Sequence, residues 1–138
     1  MADTIIRLNT LLREVTNPKF NKKNTHFGNK YADLECILEQ VKPVVSGHGF
    51  RIFQTLNEDK WLSALIDTET GEVVLSVRTP FIVDKQSPQA VGSALTYYRR
   101  YGILLLLNLV GEEDDDAEKA EGRGKKTTKS TKKENWEW

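Results

Sequence analysis

The residues best equipped for chemistry stand close together. The 24 residues SALTYYRRYGILLLLNLVGEEDDD, Ser93 to Asp116, hold three tyrosines, the adjacent Arg99 and Arg100, a block of leucines and a run of acids. Guanidinium groups match phosphate or carboxylate oxygens, and aromatic rings offer flat faces for stacking. Clustered carboxylates such as Asp114, Asp115 and Asp116 suit a hard divalent cation, magnesium being the natural candidate, although consecutive acids fan out in different directions and no fixed-spacing cation loop is present. A solvated boundary that repels polyanions accounts for the same run. Hydrolytic chemistry is poorly served: His26 and His48 are the only histidines, Cys36 is the only cysteine, and neither a Ser, His and Asp arrangement nor a zinc spacing is present. No cofactor is required by any motif. The segment GRGKKTTKSTKK fails as a P-loop, because positions 119 and 126 are both Lys and no strand precedes it.

Charge is distributed in blocks. The formal net charge of zero is a cancellation among residues 1–111 at +2, six acids without a base from Glu112 to Glu118, seven bases against one acid from Lys119 to Lys133, and the final acids Glu134 and Glu137. This divides the chain into a core domain, residues 1–111, and an acidic and Lys-rich tail, residues 112–138, whose dense charge and low hydrophobicity predict disorder. A mobile basic tail adds phosphate contacts that weaken with salt. The final ENWEW is acidic and aromatic, a docking peptide for a single-stranded DNA-binding or replication partner. A lone cysteine, no signal peptide and no apolar run of membrane-spanning length predict a soluble protein of the cytoplasm.

The elements that position these residues follow from periodicity. In DTIIRLNTLLREV, Ile5, Leu8, Leu12 and Val15 predict an amphipathic helix capped by Asp3, and Asn17-Pro18 ends it. KFNKKNTHFGNKYA reads as a loop or irregular hairpin. A second helix starts at the N-cap Asp33, with Leu34, Ile37, Leu38, Val41 and Val45 inward, Cys36 outward, and Gly47 and Gly49 as its stop. Strand-like runs from Phe50, Trp61 and Glu72, separated by short turns, predict a three-stranded antiparallel meander. Ser87-Pro88 opens a final helix running to about Leu109. The fold class is therefore α+β: a meander packed with an N-terminal helix, a second helix and a long C-terminal helix.

At 100° per residue, Gln89, Ser93, Thr96 and Arg100 share one stripe of the last helix, flanked by Tyr97 and Arg99, while Val91, Ala94, Leu95, Tyr98, Gly102, Leu105 and Leu109 face the sheet. The polar stripe is either an ordinary solvated face or a binding surface. From Ile103 to Leu107 the helix is apolar all round, which predicts that a neighbouring subunit covers part of Ile103, Leu104 and Leu107 as an oligomer interface, cover by the N-terminal helix being the alternative. Gly92 predicts a close approach, by a strand of the sheet or by a phosphate.

KYADLECILEQVKPVVSGHGF and SPQAVGSALTYYRRYGILLLLNLVGEEDDD closely resemble the ERF (essential recombination function) family of phage single-strand annealing proteins, over about Asn24 to Asp116. The family pattern falls on Gln89, Gly92, Ser93, Ala94, Thr96, Tyr97, Arg99, Arg100, Tyr101 and the acids Glu113 to Asp116. Tyr98 and Gly102 depart from it, where relatives carry a small residue and Ala, which implies a repacked core. The resemblance implies a non-enzymatic protein that binds single-stranded DNA, forms rings or filaments as a homo-oligomer and pairs complementary strands without ATP in homologous recombination. Cations for phosphates and rings for bases are what such binding needs. Arg99, Arg100, Tyr97, Thr96, Ser93 and Gln89 supply them, beside a loop carrying Lys22, Lys23, Lys30, Phe27 and Tyr31. A passive strand-coating protein, or a metal-dependent nuclease built on the acid run, are the competing classes.

Overall fold

A computed structural model describes residues 2–113. Its elements are α1 (Ala2–Glu14), β1 (Lys22–Lys23), β2 (Lys30–Tyr31), α2 (Leu34–Gly47), β3 (Phe50–Asn57), β4 (Lys60–Asp67), β5 (Val73–Pro80) and α3 (Pro88–Leu107). The β3-β4-β5 meander is antiparallel throughout, and β1 and β2 form a separate two-stranded hairpin. The fold is the expected α+β arrangement. No helix among the described residues is long and apolar enough to cross a membrane.

Alternation along β4 separates the two faces of the sheet. Trp61, Ser63, Leu65 and Asp67 are buried on the helix side, where Phe50 is buried and Gln54 and Ile52 are half-buried beside them. The other face carries Phe53, Leu62, Ile66 and Val73, and Phe53 and Val73 are exposed there. The β3–β4 turn places Glu58 and Asp59 at φ of 49° and 66° between the paired Asn57 and Lys60, the two-residue hairpin geometry whose twist matches the flanking strands. A bulge at Leu65/Ile66 lets Val74 and Leu75 both pack against the core.

The helix ends follow side-chain chemistry. Asp33 Oδ1 accepts from Cys36 N at 2.9 Å and starts α2, and Ser87 Oγ accepts from Ala90 N at 3.1 Å and starts α3. The last helix stops two residues short of Leu109: Asn108 adopts the left-handed conformation, and Leu109 N donates to Leu104 O at 2.8 Å. Cys36 is half-buried, not outward, and its thiol donates to Lys19 O at 3.3 Å.

Helix α1 is rotated from its expected face. Ile5 and Leu12 are exposed and Thr4 and Leu11 are buried instead, while Leu8 and Val15 pack on the core as expected. Asp3 lies inside the first turn and pairs with Arg7 rather than capping. The cause is the fully buried Asp67, whose Oδ2 accepts from Thr4 Oγ1 at 2.6 Å and Arg7 Nη2 at 2.7 Å. The Thr4 hydroxyl above all, with Glu69 N–H and Arg7, overcomes burial and holds the Asp67 carboxyl at about 2, below its ordinary 3.8. A carboxyl depressed on folding contributes stability that is complete above its unfolded value and lost as pH falls through the folded one. The Tm advantage of the wild type over Asp67→Asn should therefore be full at pH 5 and above and shrink towards pH 2, as read by calorimetry.

Ile103, Leu104 and Leu107 are 0%, 5% and 1% exposed within the single chain. They join one cluster with Leu11 of α1, Val15 just after it, Ile37 and Val41 of α2 and Leu65 of β4, and Gly111 folds back onto Leu104. Their expected role as a subunit interface is thus corrected: α1, α2, the sheet and the returning chain enclose them. Leu105, expected to face the sheet, is 62% exposed instead.

The glycine that permits a close approach is Gly102, not Gly92. A Cβ at Gly102 would run into Ser63 Oγ, which accepts hydrogen bonds from Gln54 Nε2 and Trp61 Nε1, whereas one at Gly92 meets nothing within 4 Å. Gly102→Ala should cost about 1–3 kcal/mol by overpacking, and Gly92→Ala should gain up to about 1 kcal/mol of helix stability. Thermal melts of the two variants check both signs. Tyr98 fills the adjoining space as a packing residue, against Phe81 and Trp61, with its hydroxyl accepting from Ile82 N at 3.1 Å.

Candidate nucleic-acid interface

The β1–β2 hairpin and the outer face of α3 enclose an open cleft of about 880 Å³. Asn24 shapes the hairpin tip: its Oδ1 accepts from His26 N and Phe27 N, and its carbonyl accepts from Gly28 N, where φ is +82°. The tight turn leaves Phe27 47% exposed. Across the cleft, Tyr97 is 53% exposed and its ring is 4.5 Å from that of Tyr101. Ser93, Thr96, Tyr31, Arg100 and Lys23 also line it, together with the acids Asp33 and Glu112.

The two arginines part company. Arg100 turns into the cleft wall, where Nε donates to Ala32 O at 3.1 Å and Nη2 lies 3.5 Å from Glu112 Oε1. Its guanidinium sits 4.9 Å from the Tyr31 centroid and 5.4 Å from that of Tyr101, with the side chain 11% exposed. Arg99 is exposed on the opposite flank of α3, in a separate groove with Lys42 and Arg51. One helical step of 100° sends adjacent residues to different surfaces. Gln89 is exposed near the start of α3 and does not line the cleft. Lys22 approaches Asp33 at 3.8 Å. Asp33 itself is held below the usual carboxylate range, chiefly by the Cys36 N–H.

Glu112, absent from the sequence-derived site, organises the cleft floor. Its Oε1 accepts from Tyr101 Oη at 2.8 Å, and its backbone bridges to Tyr31. Burial first, then the Glu112 carboxylate, raises the Tyr101 phenol to about 12, so it remains a donor near neutral pH. Beside it, Lys30 N donates to Glu113 Oε1 at 2.8 Å, Glu113 N to Lys30 O at 3.0 Å and Ala32 N to Gly111 O at 2.8 Å. The segment from Gly111 to Glu113 thus adds to the edge of β2, and the core unit reaches at least two residues past the expected boundary at Gly111. Both described members of the acid run are engaged with the protein's own donors. Asp114, Asp115, Asp116, the Lys-rich segment and ENWEW lie outside the described residues. Tyr101 was legible as the i+4 neighbour of Tyr97. Glu112 carried no such signal, because its partners are set by the return of the chain.

The ERF superfamily model matches residues 6–137. The chain belongs to the ERF superfamily. No curated protein and no solved structure matches it. Membership supports a recombination function of the strand-annealing type, with DNA as the general partner. In this ERF superfamily member the family pattern on α3 is divided by geometry: Ser93, Thr96, Tyr97, Arg100 and Tyr101 line the cleft, and Arg99 does not.

Proposed function

We propose that the protein binds single-stranded DNA along the cleft and accelerates the pairing of complementary strands without ATP, acting as a homo-oligomer in phage recombination. The observation that carries this reading is the pair of half-exposed rings, Phe27 on the hairpin and Tyr97 on α3, on opposite sides of a cleft of strand-accommodating size. Every base has a face to stack, so such a platform is sequence-tolerant. Lys23, Ser93 and Thr96 offer phosphate and sugar contacts that hold the backbone without reading bases. Within the cleft, Asp33 and Glu112 offset Lys23 and Arg100. Stacking therefore carries more of the affinity there than charge does, and Lys22 and Lys30 reinforce it from the hairpin.

Self-association belongs to the outer face of the sheet in this reading. Phe53 and Val73 are 46% and 59% exposed there, beside Leu62 and Ile66. Exposed apolar side chains of this kind, rimmed on the same face by the polar Arg51, Ser76 and Arg78, mark an interaction surface.

A fluorescence pairing assay with complementary oligonucleotides and no nucleotide cofactor tests the function, run beside light scattering and gel analysis of a labelled strand. Faster pairing at unchanged strand length is expected. Binding without acceleration would make the protein a passive coat, and shortened strands with magnesium would make it a nuclease. Phe53→Asp combined with Val73→Asp should reduce the scattering mass while leaving the fold intact.

A further inference from the structure

On the flank of α3 opposite the cleft, the C-terminal half of α2 and the start of β3 border a second groove of about 630 Å³. Three cations line it, Lys42, Arg51 and Arg99, over an apolar wall of the half-buried Leu38 and Ile52, with Val45 and Phe50 buried beneath. No acid among the described residues lines this groove, and none of the three cations is ion-paired with a described residue. Phe50 is only 1% exposed, so the floor offers no ring on which a base could stack. Cations above an aliphatic floor are matched to a short peptide that carries both acids and large apolar side chains.

The chain itself contains such a peptide. Its residues Glu134-Asn135-Trp136-Glu137-Trp138 combine two carboxylates and two indoles. We propose that this C-terminal segment docks in the Lys42–Arg51–Arg99 groove of its own chain, with Glu134 and Glu137 meeting the cations and an indole covering the apolar wall. From Glu113 to Trp136 there are 23 residues. A span of that length reaches up to roughly 75 Å, against a radius of gyration of about 13 Å for a domain of this size, so every face of the core is within range. The complementarity of charge selects this groove over the stacking cleft, where Asp33 and Glu112 stand.

The test uses the full chain labelled with 5-fluorotryptophan and observed by fluorine NMR. Trp61, 6% exposed, supplies an internal signal that reports an intact fold. The signals of Trp136 and Trp138 are expected to be displaced from their positions in a free ENWEW peptide. In Lys42→Glu/Arg51→Glu they should return to the free-peptide positions while the Trp61 signal stays in place, because both substituted residues are exposed. Tail signals that coincide with the free peptide in the wild type would overturn the proposal, as would displaced signals indifferent to the groove variant. Displacement that disappears on dilution would assign the segment to a second copy and equally overturn docking within one chain. None of these outcomes depends on whether the opposite cleft binds DNA.

Discussion

Phe27→Ala/Tyr97→Ala is expected to bind a single-stranded oligonucleotide at least roughly thirtyfold more weakly than the wild type, with little change in Tm. Stacking is worth about 1–3 kcal/mol per base, and two lost platforms at the lower figure sum to about 2 kcal/mol, a factor of roughly thirty. Both side chains are about half exposed, 47% and 53%, so truncating them removes little core, and surface changes of this kind stay within about 0.5 kcal/mol of stability. Tyr97 does touch Tyr101 at 4.5 Å, which makes Tyr97→Phe the informative control. It keeps the ring and should restore most of the affinity, whereas a role for the Tyr97 hydroxyl would leave it as weak as the alanine variant. Fluorescence anisotropy at fixed salt measures all three. Undiminished binding by the double variant would remove the cleft from the DNA path.

Arg100→Ala should lower Tm by about 10 °C, and Arg99→Ala should leave it nearly unchanged. Arg100 holds three parts of the chain together: the Ala32 carbonyl before α2, the Glu112 carboxylate on the returning segment, and the rings of Tyr31 and Tyr101. Removing one partner of a buried pair costs 3–5 kcal/mol. Glu112 keeps 29% of its side chain exposed and recovers some hydration, so about 2–3 kcal/mol is the expected loss, equivalent to about 10 °C for a domain of this size. Arg99 has no such partners among the described residues. Its carbonyl accepts from Gln54 Nε2, but any residue supplies that bond. A charge reversal of both arginines together would confound unfolding with lost binding, so the two sites must be separated by calorimetry before any DNA measurement is interpreted. Equal melting of the two alanine variants would contradict the division of labour.

Much of the architecture was legible without coordinates because it depends on local rules. Asp33 and Ser87 cap the helices they were expected to cap, since a short oxygen-bearing side chain before an apolar periodic run satisfies the first free N–H groups wherever the helix later packs. The meander follows from strand periodicity and turn lengths. The misjudged features share a different cause. Thr4 is buried in α1 because Asp67, 63 residues away, accepts its hydroxyl proton, and no helical periodicity contains that partner. Gly92 and Gly102 stand on one helix, and only the position of Ser63 on β4 decides which of them is tightly approached.

The site shows the same division. Residue types along α3 and the hairpin determined by themselves that rings, hydroxyls and cations would gather on one helix and one loop, because side-chain direction on a helix is set by the 100° step. Only the tertiary structure decided that Arg100 is spent on Glu112, that Arg99 faces a different groove, and that Ile103, Leu104 and Leu107 are enclosed by their own chain. A side chain's partner depends on which distant segments arrive beside it, and in this protein the arrival of Gly111 to Glu113 along β2 places Glu112, the first of the acids, at the floor of the cleft.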